Sequence, residues 1–157
     1  MMATFQIVQA DLGDVLAVTA CARAAFAPYI PRIGREPAPM SADYARLIAA
    51  GHVEVAKDGA GAVLGFVCYY PDGDAMLLET VAVFPAVMGQ GLGRALTLRC
   101  EQAARRSGLR FVRLYTNAAM TENLQLYPKL GYGVQGRRVE DGFDRVFFEK
   151  PLDQRPR

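Results

Sequence analysis

Three glycines, Gly89, Gly91 and Gly93, follow an apolar run that ends at Val83, and a helical pattern begins directly after them. Glycine lets backbone N–H groups converge on a ligand because it has no Cβ and tolerates positive φ angles. A helix N-terminus adds unpaired N–H groups and partial positive charge. The order of strand, glycine loop and helix therefore predicts that residues 88–94 bind a phosphate-bearing small molecule.

The spacing within the loop excludes two common phosphate-binding motifs. A P-loop needs Lys followed by Ser or Thr after its last glycine, whereas this loop continues with Arg94 and Ala95. The dinucleotide fingerprint G-x-G-x-x-G/A also fails, because its last position is Arg94 when counted from Gly89 and Leu96 when counted from Gly91. Taken alone, the loop could also be a tight strand-to-helix turn that binds nothing.

The loop and the strand before it resemble the acyl-CoA loop of the GNAT superfamily of N-acyltransferases, which reads Gln/Arg-x-x-Gly-x-Gly/Ala after Val-x-Pro. In this chain residues 83–85 are Val-Phe-Pro and residues 88–93 are Met-Gly-Gln-Gly-Leu-Gly. Both key glycines match, and Met88 replaces the usual Gln or Arg. The loss of that side-chain contact leaves the backbone cradle intact.

A second motif lies downstream at the spacing of the same family. Residues 126–132 read Leu-Tyr-Pro-Lys-Leu-Gly-Tyr and resemble the family's Leu-Tyr-x-x-x-Gly-Phe, with Tyr132 in place of Phe. The family often carries Asn seven residues before the motif's Tyr, where this chain has Met120 flanked by Asn117 and Asn123. Which of the two replaces that Asn is open. Together the motifs extend the resemblance over about residues 5–150.

The resemblance implies a set of contacts to acetyl-CoA as co-substrate. They are expected at Val81, Val83, Met88, Gly89, Gln90, Gly91, Leu92, Gly93, Arg94 and Asn123. The family also suggests that backbone N–H groups near residues 81–83 stabilise the oxyanion of the transition state.

Glu79 is the candidate general base, which must take a proton from the acceptor amine. It is a carboxylate in an otherwise apolar strand, and period-two alternation places it on one face with Val81 and Val83. Partly desolvated surroundings make a carboxylate a better base near neutral pH. The alternatives are a Glu that faces solvent at the sheet edge or that pairs with an Arg.

Tyr127 is the candidate general acid, because the family places this Tyr beside the thioester sulfur. Its alternative role is to pack the short helix on the sheet. The acceptor is expected to contact Tyr29, Arg32, Tyr44 and Tyr69. Aromatic and arginine side chains of this kind suit a small amine that also carries a carboxylate, although ordinary loop packing explains each of them equally well.

Composition excludes several other classes of protein. In 157 residues, 18 Lys and Arg oppose 16 Asp and Glu, whereas a nucleic-acid-binding domain would present a basic face. No apolar run reaches the roughly 18 residues needed to span a bilayer. The one histidine, His52, leaves almost nothing for a metal site or a Ser-His-Asp triad, so no metal is expected.

The cysteines and the N-terminus favour a cytoplasmic protein. Cys21, Cys68 and Cys100 lie in apolar patterns and are odd in number, which is typical of reduced core thiols. The first positive charge is Arg23, so the chain lacks the basic start of a signal peptide.

Hydrophobic periodicity and turn residues predict eleven elements. Strands are expected over residues 5–9, 53–57, 63–70, 76–83, 111–116, 132–139 and 145–149, and helices over residues 11–26, 41–50, 91–107 and 121–130. Residues 31–39 should form an irregular loop. This order predicts a mixed α/β fold, a mostly antiparallel sheet flanked by helices, in which only the crossover through the long helix joins parallel strands.

The combined prediction is a single domain over residues 1–152 with a frayed tail over residues 153–157. It acetylates a primary amine of a small molecule by direct transfer from acetyl-CoA, with no covalent enzyme intermediate. The alternatives are an enzyme of the same fold that acetylates protein N-termini or lysines, and a non-catalytic acyl-CoA-binding module. No nucleic acid or membrane partner is expected, and a homodimer is possible.

Overall fold

The computed structural model describes residues 4–152, so the predicted tail lies outside the described residues. Within residues 4–152, seven strands form one sheet. They are β1 (Gln6–Gln9), β2 (Val53–Lys57), β3 (Val63–Asp72), β4 (Ala75–Val83), β5 (Phe111–Asn117), β6 (Gly133–Glu140) and β7 (Phe143–Pro151). The helices are α1 (Val15–Phe26), α2 (Ile30–Ile33), α3 (Tyr44–Ala49), α4 (Leu92–Arg106) and α5 (Thr121–Lys129).

The strand order is β1-β2-β3-β4-β5-β7-β6. The pairs β1/β2, β2/β3, β5/β7 and β6/β7 are antiparallel, and β4/β5 is parallel. The recorded β4/β5 register joins Ala75 to Phe111, Met76 to Val112 and Leu77 to Arg113. The predicted mixed fold is thereby confirmed, including the one parallel pair that the crossover through α4 requires.

Two predicted helices begin later than their sequence signals suggested. Asp11 caps a short 3-10 turn, Leu12–Asp14, and α1 starts only at Val15. The second helix starts at Tyr44, where the Asp43 side chain accepts from the N–H of Arg46. Ser41, an N-cap residue type at the predicted start of this helix, instead ends another 3-10 turn, and Ala42 after it is extended. The predicted loop over residues 31–39 also overlaps α2.

The described chain divides into two compact units. The first contains the chain up to Tyr69 together with Thr80–Arg99. In its core, apolar side chains on the inner face of α1 pack against those of α3, β2 and β3. Its central members are Val18, Cys21, Tyr44, Ile48, Val53, Val55 and Phe66.

The second unit contains Tyr70–Glu79 and the chain from Cys100 onward. Residues of β5 alternate strictly between half-buried and buried. Val112 and Leu114 are buried, as are Val146 and Phe148 of β7, while Arg113 and Tyr115 are half-buried on the opposite face. The turn from β6 to β7 consists of Asp141 and Gly142, with φ angles of 52° and 80°, a pair suited to a two-residue hairpin.

Among the described helices, none is both long and apolar enough to cross a membrane.

Candidate active site

The glycine loop has the backbone conformation that its sequence predicted. Gly89 and Gly91 have φ angles of 80° and 85°, values that other residues rarely adopt. A Cβ built on Gly89 would meet nothing within 4 Å, so open space lies beside the backbone. Met88 is 66% exposed and has no polar group to offer to a phosphate.

Helix α4 starts immediately after this loop and supplies donors. Its first recorded backbone hydrogen bond in this segment runs from the N–H of Ala95 to the carbonyl of Gly91, at 3.0 Å. The N–H groups of Leu92, Gly93 and Arg94 therefore precede the first intrahelical bond and are available to a ligand. Arg94 is exposed, so its guanidinium is also accessible to an anion.

The end of β4 is held very close to β3. A Cβ added to Gly65 would lie 2.7 Å from the carbonyl oxygen of Ala82 and 3.3 Å from Cα of Val83, and the N–H of Phe84 donates to the carbonyl of Leu64 at 3.0 Å. Only glycine allows this approach. Gly65 therefore fixes the backbone of residues 81–83, the segment predicted to stabilise the oxyanion.

Glu79 lies in the second unit, on the half-buried face of β4. The strand alternates between buried and half-buried residues from Met76 to Val83. Glu79 shares the half-buried face with Val81 and Val83, as predicted, and also with Leu77. Burial raises the pKa of Tyr115, the guanidinium of Arg145 lowers it, and the carboxylate of Glu79 raises it. Glu79 is thus electrostatically coupled to Tyr115 of β5.

Arg145 completes this group, and neither it nor Tyr115 was identified from the sequence. Its guanidinium lies 4.4 Å from the centroid of the Tyr115 ring, and it forms a 3.2 Å ion pair with Glu140. Only 11% of its side chain is exposed. The sequence signal that could have found them was the alternation of β5 and β7. In the structure, the register of these strands pairs Tyr115 with Phe147 and Asn117 with Arg145.

Tyr127 lies on α5 in an aromatic environment. Its ring centroid is 5.7 Å from that of Tyr132 in a T-shaped arrangement and 5.9 Å from that of Phe148. Burial raises the pKa of Tyr127 to about 12, so the hydroxyl keeps its proton at neutral pH. Among the described residues, the hydroxyl has no recorded hydrogen-bond partner, which leaves its proton available for a ligand.

The two candidate asparagines have different local roles. The amide of Asn123 donates to the hydroxyl of Thr116 at 3.1 Å, so it ties α5 to β5. The side-chain oxygen of Asn117 accepts from the N–H of Ala119 at 2.9 Å and shapes the turn before α5. The predicted contact between Asn123 and acetyl-CoA stays a prediction.

The predicted acceptor residues all lie in the first unit, but in different surroundings. Arg32 of α2 is exposed, and its guanidinium lies 5.2 Å from the centroid of the half-buried Tyr29 ring. Tyr44 is only 2% exposed. Its ring packs edge-on against Phe66 and its hydroxyl donates to the carbonyl of Pro39 at 2.6 Å. Tyr44 is therefore a core residue in this structure.

Tyr69 belongs to a polar cluster around a buried carboxylate. Its hydroxyl donates to Glu54, which also forms a 2.9 Å ion pair with Arg99 of α4. These contacts give Tyr69 a structural partner, and its predicted contact with the acceptor stays a prediction.

A cleft of about 290 Å³ opens on the sheet face of the second unit. It lies over β4, β5, β6 and β7, and its walls include Leu77, Tyr115, Gln135, Arg138 and Phe147. The guanidinium of Arg138 covers the Phe147 ring at 3.9 Å from the centroid. The cleft has apolar and aromatic walls with a few polar groups, as small-molecule sites usually do.

Within residues 4–152, no cluster of three or more His, Cys, Asp or Glu side chains is arranged to hold a metal ion.

Comparison with known proteins identifies the family. The sequence model of the Acetyltransferase (GNAT) family matches residues 19–132. The chain therefore belongs to this family, which confirms the resemblance inferred from its two motifs.

One curated relative is the mycothiol acetyltransferase of Nocardiopsis dassonvillei, 31% identical over 109 residues. That match covers 65% of this chain and 31% of the relative. The chain thus spans about a third of the length of the curated relative.

Two solved structures share the fold over nearly their whole length. The PaiA N-acetyltransferase of Thermoplasma acidophilum, in complex with coenzyme A, has a TM-score of 0.78 at 17% identity, with 95% of this chain and 99% of that chain covered. The yncA protein of Salmonella typhimurium, with its cofactor acetyl-CoA, has a TM-score of 0.71 at 22% identity, with 99% and 98% covered. At these identities the likeness concerns the fold.

Proposed function

We propose that this protein transfers the acetyl group of acetyl-CoA directly to the primary amine of a small molecule. Family membership supports the reaction class. The class of acceptor is inferred from the cleft of about 290 Å³. This cleft lies on the sheet face that also bears Leu77 and Glu79. Its volume falls near the lower limit for small-molecule sites, roughly 300 Å³, and would be narrow for a folded protein segment.

The glycine loop would bind the pyrophosphate of the co-substrate. The positive φ angles of Gly89 and Gly91 turn the backbone there, and the N–H groups of Leu92, Gly93 and Arg94 supply donors at the positive end of the α4 dipole. Two structural relatives are in complex with coenzyme A or acetyl-CoA, which supports an acyl-CoA as the ligand. Acetyl-CoA supplies the acetyl group as an activated thioester.

Glu79 would accept the proton that the acceptor nitrogen loses as it attacks the thioester carbon. Backbone N–H groups near Val81 and Val83 would stabilise the negative charge that develops on the thioester oxygen. Tyr127 would donate to the departing sulfur. Glu79 would pass the amine proton to solvent. The thiolate, stabilised by the hydrogen bond from Tyr127, would take up a proton from Tyr127 or from solvent, so both residues return to their starting states.

We also propose that the protein acts in the cytoplasm, where acetyl-CoA is made available and thiols stay reduced. Cys21, Cys68 and Cys100 are buried and are not joined in disulfides, which suits a reducing compartment.

The proposed activity is tested with a panel of primary amines that comprises amino acids, amino-acid amides, aminosugars, aminoglycosides, polyamines and short peptides. We expect thiol release from acetyl-CoA, with the acetylated amine identified by mass spectrometry, for at least one small amine. Activity confined to peptides would favour a protein acetyltransferase. Tight binding of acetyl-CoA without turnover of any amine would favour the non-catalytic module.

Binding of acetyl-CoA should depend on the backbone at Gly91. Saturating acetyl-CoA, at about 100 times its Kd, should raise Tm by roughly 5–10 °C. In Gly91→Val the branched side chain should block the pyrophosphate, so the shift should disappear. Calorimetric titration measures the same loss directly.

Gly61→Val is the matched control for this substitution. Gly61 has a φ angle of 83°, close to the 85° of Gly91, and lies in the loop between β2 and β3, where an added Cβ meets nothing within 4 Å. Both variants incur similar backbone strain, but Gly61→Val should still show the acetyl-CoA shift. Tight binding to folded Gly91→Val would refute the assignment of the loop.

A further inference from the structure

A buried carboxylate in the second unit connects three elements. Glu101 of α4 is only 2% exposed. One of its oxygens accepts from the hydroxyl of Tyr132 at 2.9 Å and the other from Nζ of Lys150 at 2.9 Å. Nζ of Lys150 also lies 5.7 Å from the centroid of the Tyr132 ring. We call these three residues the buried triad.

The triad fixes the ring against which Tyr127 packs. The Tyr132 ring meets the Tyr127 ring edge-to-face at an interplanar angle of 74°, and the N–H of Tyr132 donates to the carbonyl of Tyr127 at 3.0 Å. Gly131 between them has a φ angle of 96°, and an added Cβ would lie 3.2 Å from Cε of Lys150. The backbone and the side chains of the triad are therefore packed onto the segment that holds Tyr127.

Stability alone gives a poor explanation for this arrangement. Removing a carboxylate and an ammonium from water costs free energy that their attraction often fails to recover, and apolar replacements are frequently as stable. A tyrosine hydroxyl bonded to a fixed carboxylate does, however, restrict the rotation and tilt of its ring. The family motif has Phe at this position, so the hydroxyl is a departure from that pattern.

We propose that the buried triad is a positioning device for Tyr127. Glu101, itself paired with Lys150, holds the hydroxyl of Tyr132. The Tyr132 ring sets the plane of the Tyr127 ring, and this plane directs the Tyr127 hydroxyl. Tyr132 is thus a positioning residue that acts through Tyr127. The proposal rests on the proposed function, in which Tyr127 donates to the departing sulfur.

A double-mutant cycle tests the proposal, with the best amine of the panel as acceptor. Tyr132→Phe should lower kcat about 3–10-fold, because small misplacements of a catalytic group are costly. The KM for acetyl-CoA should stay within about twofold, since the glycine loop is unchanged. In a Tyr127→Phe background, the same substitution should change kcat by less than about twofold, because no hydroxyl remains to be positioned.

Equal falls in kcat from Tyr132→Phe in both backgrounds would overturn the proposal while leaving Tyr127 as the acid. Wild-type kcat in Tyr127→Phe alone would instead overturn the role of Tyr127 in the proposed function, and with it the need for positioning. The two failures are therefore distinguishable from one set of four proteins.

Two variants of Glu101 provide an independent test should Tyr132→Phe fold poorly. Both variants are made with Lys150→Met, so that no ammonium competes for the single amide carbonyl. In that background Glu101→Gln can still accept from Tyr132, and its kcat should exceed that of Glu101→Leu by about threefold or more. Glu101→Leu cannot accept, and its kcat should fall as in Tyr132→Phe. Equal kcat values for the Gln and Leu variants would contradict the proposal.

A spectroscopic measurement needs no acceptor. In protein labelled with ¹³C on the tyrosine rings, the Tyr127 resonance is assigned as the one missing from Tyr127→Phe. Tyr132→Phe and Glu101→Leu should each shift or broaden that resonance. An unchanged Tyr127 resonance in Tyr132→Phe and Glu101→Leu would overturn the positioning role even if no amine is turned over.

Discussion

Tyr127→Phe should fold, bind acetyl-CoA with unchanged affinity and turn over about 10²-fold more slowly than the wild-type protein. The substitution keeps the ring contacts with Tyr132 and Phe148 and removes only the hydroxyl. Because that hydroxyl has no recorded hydrogen-bond partner among the described residues, its removal leaves no protein group unsatisfied. A fall in kcat with an unchanged KM for acetyl-CoA would therefore report a role in the reaction itself.

The pH–rate profile makes this prediction more specific. Burial raises the pKa of Tyr127 to about 12, so its ionisation should produce no basic limb in the accessible pH range. The wild-type and Tyr127→Phe profiles should then have the same shape and differ only in height. A buried tyrosine of this acidity holds its proton more firmly than a thiol, for which the reference pKa is about 8.5. Its contribution is therefore chiefly a hydrogen bond to the developing thiolate.

Near wild-type turnover in Tyr127→Phe would show that Tyr127 only packs α5 against Phe148. The sulfur would then leave as a thiolate or take its proton from water.

Most of the fold could be predicted from the sequence because its signals are local. Hydrophobic periodicity and turn residues identified all seven strands, and the glycine-to-helix transition located α4 within one residue of its start at Leu92. The parallel pairing of β4 and β5 followed from the length of the crossover alone. The start of α3 was missed because Ser41 and Asp43 are both good caps, and the extended conformation of Ala42 decides between them.

The candidate site was less predictable, because side-chain partners come from distant positions in the chain. Tyr44 has the residue type of a ligand-binding side chain, yet its ring packs on Phe66, 22 positions away. The buried triad spans Glu101 to Lys150. Neither set can be found by motif. The packing of α3 on β3 brings Tyr44 to Phe66, and the packing of α4 brings Glu101 to Tyr132 and Lys150.

Tyr115 and Arg145 were not identified as site residues from the sequence, although both lie in strands that were predicted. Each has an ordinary position in an alternating strand, and no sequence signal separates it from its neighbours. Their relation to Glu79 depends on the pairing of β5 with β7 and on charge interactions that act across strands.

Glu79→Gln should lower turnover on the order of 10²–10⁴-fold near neutral pH if the carboxylate is the general base. A base must be ionised to accept the amine proton, so protonation of Glu79 should give the wild-type profile an acidic limb that the variant lacks. The amide is nearly isosteric and Glu79 is only half-buried, so the variant should fold. Asp144→Asn is the matched control, because Asp144 of β7 does not line the cleft and pairs with Arg137 at 2.6 Å. The pH–rate profile of the control variant should keep its acidic limb.

A measurement without turnover checks the position of the Glu79 carboxylate. Since its negative charge raises the pKa of Tyr115, neutralising it in Glu79→Gln should lower the pKa of Tyr115. Ultraviolet titration of the tyrosines, with Tyr115→Phe to identify the transition, detects that change. A lower Tyr115 pKa together with a lost acidic limb would support the base role. A lower pKa with the acidic limb intact would place Glu79 beside Tyr115 as predicted but assign proton abstraction to water or to another residue.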